Sequence, residues 1–194
     1  FGAYCLTEPN AGSDANSGKT TATLTEDRKF YNITGQKMWI SNAGFCNVFI
    51  VFARIEDDKN ITGFIVENDP TNGIVLGEEE NKLGINASST RQVFFNDTRV
   101  PVENMLSERQ NGFKIAMNAL NIGRIKLAAA CIDSQRRITT DAVVYANARK
   151  QFKTPIAEFG AIKYKLAEMV TNTYVCESAS YRAAKNIEDR IAMR

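Results

Sequence analysis

"VPVENMLSERQNGFKIAMNAL", residues 100–120, is where the chain changes its hydrophobic period. Before residue 105, short runs rich in β-branched and aromatic residues alternate with turn signals. The runs are "AYCLTE", "KTTATLT", "FYNITGQKMWIS", "NVFIVFARI", "ITGFIVEN", "GIVLGE" and "RQVFFNDTRV". Such residues suit a pleated, half-buried surface, so each run reads as a strand. "TTATLT" alternates as a half-exposed strand does, and "VFIVF" is apolar on both faces, the mark of a central strand. Turns sit at "TEDRK", "EDDKN" and "NDPTNG". Several strands with no helix between them predict an antiparallel β-barrel or sandwich.

After residue 105 the period becomes helical. Phe113, Met117, Leu120, Arg124, Leu127, Cys131, Ser134 and Ile138 follow steps of three and four. A second stripe runs through Ile162, Leu166, Met169, Thr173, Cys176, Ala183 and Ile187, with "KTPIAEFG" as the connector. Both are amphipathic faces for helix packing. Two long antiparallel helices cannot bury both faces alone and call for further helices or another subunit. The fold class is therefore α+β and multi-domain: a β domain over residues 1–105, then the start of a helical bundle over 106–194.

Composition narrows the function classes. A length of 194 residues allows a sizeable core, and a net charge of +2 gives no footprint for nucleic acid. No uninterrupted run of 18 apolar residues occurs, so no transmembrane segment is expected. "FGAYCLTEPN" has no initiator Met and neither the basic start nor the apolar core of a signal peptide. The chain reads as an excerpt of a longer protein. Cys5, Cys46, Cys131 and Cys176 form no CxxC pair and read as reduced core thiols. With no histidine, Ser-His and Cys-His catalysis and His-ligated metal sites are excluded. There is no GxGxxG or GxxxxGK[ST] motif.

Three constellations could carry chemistry. "YCLTEPNAGSD", residues 4–14, runs from a strand into small residues that let a ligand approach backbone N–H groups; it is also an ordinary turn composition. "KMWISNAGF", residues 37–45, holds the only tryptophan. By period two Trp39 and Ser41 share a strand face, a π-surface beside a hydroxyl that suits a flat heterocycle; a strand tryptophan also reads as core. Arg124 stands in the apolar stripe near Asn121, where a guanidinium needs either a structural carboxylate or a ligand anion. Arg149 and Lys150 end a predicted helix and either complement its dipole or meet a pyrophosphate.

Together, "YCLTEPNAGSD", "GQKMWISNAG", "VPVENMLSE", "NGFKIAMNALNIGR" and "ARKQFKTPIAEFGAI" occur in the order seen in acyl-CoA dehydrogenases, and the chain resembles that family over its whole length. "LNIGR" and "LTEP" are most similar to its very-long-chain branch. The resemblance implies a middle β-barrel domain and the first two helices of a C-terminal four-helix bundle. It implies FAD as cofactor, lined by Tyr4, Leu6, Thr7, Gly12 and Ser13. Trp39, Ile40 and Ser41 would lie at the isoalloxazine, and Arg149, Gln151 and Phe152 at the FAD of a neighbouring subunit. Ser13, Asn121, Ile122, Gly123 and Arg124 would contact the acyl-CoA substrate, with Arg124 as anchor.

The implied reaction is α,β-dehydrogenation of a fatty acyl-CoA thioester in β-oxidation. A carboxylate removes the α-proton, the β-hydrogen leaves as hydride, and electrons pass to an electron-transferring flavoprotein. Some branches place the catalytic glutamate where Gly123 stands; a glycine is no base, so the base is expected beyond Arg194. Many relatives carry glutamine where Gly160 stands, which puts one FAD contact in doubt. The implied assembly is a homodimer or homotetramer, cytoplasmic in a bacterium or in the mitochondrial matrix of a eukaryote. Two alternatives share the fold: an acyl-CoA oxidase, and a non-catalytic flavin- or acyl-CoA-binding module.

Overall fold

A computed structural model describes residues 1–193. It forms two compact units, one over Phe1–Asn118 and the other from Ala119 onward. The strands of the first unit are β1 (Gly2–Cys5), β2 (Thr21–Leu24), β3 (Phe30–Ser41), β4 (Val48–Ile55), β5 (Thr62–Glu67), β6 (Ile74–Glu79), β7 (Thr90–Pro101) and β8 (Met105–Leu106). Every predicted strand is present, and the short β8 adds one that its Met-Leu pair did not signal. The strand order is β6-β7-β3-β2-β4-β5-β8, with β1 also on β4.

The expected all-antiparallel pairing is corrected. β1 and β2 both run parallel to β4, so the sheet is mixed, and it stays open rather than closing into a barrel. It nonetheless packs on itself like a sandwich. Phe49 of β4 meets Phe95 of β7 edge-on at 6.0 Å, and Tyr31 of β3 meets Phe64 of β5 at 5.3 Å, although neither pair of strands is adjacent. Ile33, Val51, Ile55, Val66, Val93 and Val100 complete the fully buried core between these faces.

β4 is the central strand that "VFIVF" predicts. Phe49, Val51, Ala53 and Ile55 face the main core, while Phe52 and Ile50 serve a second cluster with Leu6, Ala15, Ile61 and Ala116. Full burial of side chains such as Phe52 or Ile61 contributes roughly 1.5–3 kcal/mol each. The second cluster seats the first turns of α1 (Gly112–Ala148). At Gly112 the N–H donates to the Ile61 carbonyl at 2.9 Å, and an added Cβ would lie 2.6 Å from that oxygen. Gly112→Val is therefore expected to lower stability by about 1–3 kcal/mol, read from the urea midpoint, because the backbone cannot move away without lifting the helix.

In the second unit, α1 faces α2 (Gly160–Ala192). Ile125 and Ala129 lie with Tyr181 and Ala184, and Arg136 pairs with Glu177. Numbers rise along one helix as they fall along the other, so the two run antiparallel. On α2 the predicted Ile162, Leu166, Met169 and Thr173 are half-buried, whereas Cys176, Ala183 and Ile187 of the same predicted stripe are exposed. On α1 the predicted stripe is corrected: Leu120, Leu127, Cys131 and Ile138 are exposed, and Ile125, Ala128, Ile132, Gln135 and Thr139 are the partly covered row. α1 has two apolar faces, and α2 covers only one. By length and composition alone α1 also contains a window apolar enough to cross a membrane, mostly exposed here; a helix apolar on several faces equally suits the interior of a bundle.

Candidate functional site

The site begins with a counting error built into β3. Tyr31, Ile33 and Lys37 are buried at spacings of two and four, so strict alternation would bury Trp39 next. Against β7, Lys37 pairs with Val93 but Ile40 pairs with Arg91. β3 thus carries one extra residue across Met38 and Trp39, a β-bulge that re-aims the side chains after it. Ile40 turns inward to the core, while Trp39 (60% exposed) and Ser41 turn outward. The core reading of Trp39 is thereby excluded: alternation from Trp39 to Ser41 is kept, and the bulge turns both side chains outward. Trp39 takes φ +57°. A bulky residue in the left-handed region costs about 1–3 kcal/mol and persists only where its surroundings impose it.

The loop after β1 lies against this bulge. Lys37 is fully buried and its Nζ donates to Glu8 Oε1 at 2.7 Å, to the Phe52 carbonyl at 2.7 Å and to the Leu6 carbonyl at 3.2 Å. Three acceptors match the three N–H bonds of an ammonium, and a neutral amine would leave one unfilled. Glu8 also accepts from the backbone N–H groups of Lys19 (2.5 Å) and Thr20 (3.1 Å). Burial pushes the Glu8 carboxyl up, but the Lys37 charge and these hydrogen bonds outweigh it and hold the group below the usual carboxylate range. Between Leu6 and Glu8, the Thr7 carbonyl accepts from Met38 N–H at 2.9 Å. Neither Glu8 nor Lys37 is among the sequence-predicted site residues. The available signal was parity: a lysine at an inward strand position must find an acid.

The predicted N-terminal residues divide by exposure. Thr7 is half-buried, whereas Gly12 and Ser13 are open to solvent. Tyr4 packs edge-on against Phe52 and donates to the Ala116 carbonyl at 3.2 Å; burial pushes its phenol up to about 12. The side chains of Leu6 and Ile40 are taken up by the two cores, so only their backbones can meet a ligand. Cys5 and Cys46 are buried as expected, but Cys131 and Cys176 are exposed because they lie off the covered rows of their helices.

In the helical unit, Asn121, Ile122, Gly123 and Arg124 all lie exposed on α1. The expectation of a guanidinium sunk in an apolar seam is corrected: Arg124 Nη1 bonds Asn121 Oδ1 at 2.6 Å, one helical turn away, on a face that nothing in this unit covers. Arg149 follows α1, and Lys150, expected at the helix end, instead opens a hairpin of β9 (Lys150–Gln151) and β10 (Thr154–Pro155), the second strand lying in the segment read as the connector. Its two-residue loop, Phe152-Lys153, has φ +52° and +65°. That is the geometry for which Asn-Gly is preferred, so its absence explains why the hairpin escaped sequence reading. Phe152 is 91% exposed at the tip. Replacing Phe152-Lys153 by Asn-Gly is expected to raise stability by about 1–3 kcal/mol in urea titrations, since two strained residues are relieved and only the edge-on contact of the exposed Phe152 with Phe159 is lost.

The model of the acyl-CoA dehydrogenase middle domain matches residues 3–98, and that of the acyl-CoA dehydrogenase C-terminal domain matches residues 110–193. The chain belongs to the acyl-CoA dehydrogenase family. A probable acyl-CoA dehydrogenase of Bacillus subtilis is 45% identical over 98% of this chain. The very long-chain specific acyl-CoA dehydrogenase of Homo sapiens is 45% identical over 96%. Among solved structures, an acyl-CoA dehydrogenase of Bacillus anthracis complexed with FAD superposes with a TM-score of 0.88 at 46% identity, over 99% of this chain and 33% of that one. The chain spans about a third of the length of these two curated relatives, 32% and 30%. In this acyl-CoA dehydrogenase chain the bulge at Trp39 lies within the middle-domain match, and the strained hairpin at Phe152 lies within the C-terminal one.

Proposed function

We propose that this chain is the flavin-holding centre of a longer FAD-dependent acyl-CoA dehydrogenase that introduces an α,β double bond into fatty acyl-CoA thioesters. In this reading residues 1–105 are the middle β domain and residues 106–194 the beginning of the helical domain. One observation carries the proposal: an exposed indole, held in a strained conformation beside an exposed hydroxyl. Exposed aromatics alone are ordinary. An exposed one kept at a conformational cost is what a site for a planar ring requires.

The residues fit such a ring. Trp39 would cover one face of it, Ser41 would donate to a polar edge atom, and Thr7 would border it. Gly12 and Ser13 leave an open approach, since a Cβ at Gly12 would touch nothing within 4 Å. Bound FAD supplies the two-electron acceptor. Arg124, free of any acid partner among the described residues and oriented by Asn121, would anchor the acyl-CoA. Arg149, Gln151 and Phe152 would reach the cofactor of a neighbouring subunit, making the enzyme a homodimer or homotetramer. Gly123 cannot accept a proton, and in this reading the base would be a carboxylate of the longer protein beyond Arg194. An electron-transferring flavoprotein would take the electrons, in bacterial cytoplasm or the mitochondrial matrix.

The test is anaerobic titration of the full-length protein with acyl-CoA thioesters of graded length. Bleaching of the flavin's visible band is expected, with the 194-residue chain alone inactive. A full-length protein that carries flavin and shows no bleaching with any acyl-CoA, or a 194-residue chain that turns substrate over, contradicts the proposal.

A further inference from the structure

We infer that the buried Glu8–Lys37 pair is a positioning device that forces Trp39 out of the core and fixes its spacing from Thr7. Three consecutive residues of the loop meet consecutive residues of the bulge. The Lys37 ammonium grips the Leu6 carbonyl and the Glu8 carboxylate, and between them Met38 N–H bonds the Thr7 carbonyl. The Phe52 carbonyl of the central strand holds the same ammonium from below. With Lys37 committed inward and Ile40 buried in the main core, the strand must fit two residues where alternation allows one. The extra residue is expelled, and the left-handed backbone falls on Trp39.

Geometry favours positioning over plain stability. A methionine at position 37 and an unpaired loop would fill the same space without three aligned acceptors, and buried ion pairs are commonly replaceable by apolar residues at no loss of stability. This pair differs in joining the two segments that carry Thr7 and Trp39. As a role in flavin binding the inference rests on the function proposed above. As a cause of the backbone strain it does not.

The test is a mutant cycle that needs no flavin. In the 194-residue chain, Trp39→Gly is expected to fold with an equilibrium constant about fivefold above that of Trp39→Ala, because glycine alone takes the imposed φ without strain. In the Glu8→Gln/Lys37→Met background that preference should vanish or reverse, as alanine is ordinarily the better strand residue. An unchanged fivefold preference in that background overturns the inference. Should the double variant not fold, amide hydrogen exchange on the unmodified chain decides. Met38 N–H must then exchange as slowly as the core amides of β4; exchange at the rate of open loop amides overturns it. In the full-length holoprotein, quenching of Trp39 fluorescence by FAD should weaken in Glu8→Gln/Lys37→Met at full occupancy of the cofactor. Coupling in the cycle without any quenching in the parent would keep the positioning role and refute the flavin reading.

Discussion

Lys37→Met should lower folding stability by about 3–5 kcal/mol, the range for removing one partner of a buried ion pair. The change leaves Glu8 charged, with its Oε1 facing an apolar side chain, and leaves the Leu6 and Phe52 carbonyls without their donor. Glu8→Gln should cost less, about 1–3 kcal/mol, since an amide oxygen still accepts from Lys19 or Thr20. The double variant should cost less than the two single losses together, because the residues are in direct contact. Guanidinium titrations of the four proteins check this. The pH dependence follows from the Glu8 carboxyl being held below the ordinary range. The unfolded chain takes up a proton there before the folded one does. The contribution of the Glu8 carboxylate is therefore fully present above the usual glutamate pKa and is lost as pH falls through the depressed native value, while burial, the largest influence on Lys37, lowers that ammonium's pKa and adds nothing to the acid limb. Lys37→Met should flatten that part of the acid limb.

Much of the fold was legible because the strand runs are long, β-branched and separated by turns. β3, β4 and β7 lie where their residues place them. What escaped has identifiable causes. Period-two counting cannot register the extra residue at Met38–Trp39, since nothing local marks a bulge that lacks glycine. The Glu8–Lys37 pair joins residues 29 positions apart, invisible to any local window. Phe152-Lys153 is a turn made of non-turn residues. On α1 two apolar stripes compete, and hydrophobic spacing does not say which one the available partner covers. The parallel pairings of β1 and β2 with β4 depend on where the chain crosses, which strand composition does not encode. The candidate site itself was read as a list of neighbours in sequence. The structure adds that its indole is strained and that a buried charge pair lies behind it.

Removing the indole should separate holding the ring from holding the fold. In the full-length protein both Trp39→Gly and Trp39→Ala are expected to weaken FAD binding roughly tenfold or more, given about 1–3 kcal/mol for an aromatic stacked on a heterocycle. Loss of stability should stay near or below about 2 kcal/mol, short of the roughly 3–5 kcal/mol that truncating a core tryptophan costs. The side chain is 60% exposed, and relief of its left-handed φ offsets part of the burial lost in the glycine variant. The order of the two variants is also specified, with glycine the more stable by about 1 kcal/mol, against the usual strand preference.

The FAD dissociation constant and the denaturation midpoint, measured side by side on these two variants and the parent, test the strained indole as the seat of the flavin most directly. The expected result is weakened FAD binding in both, with the glycine variant the more stable of the two. Unchanged FAD affinity together with an alanine variant at least as stable as the glycine one would contradict the account.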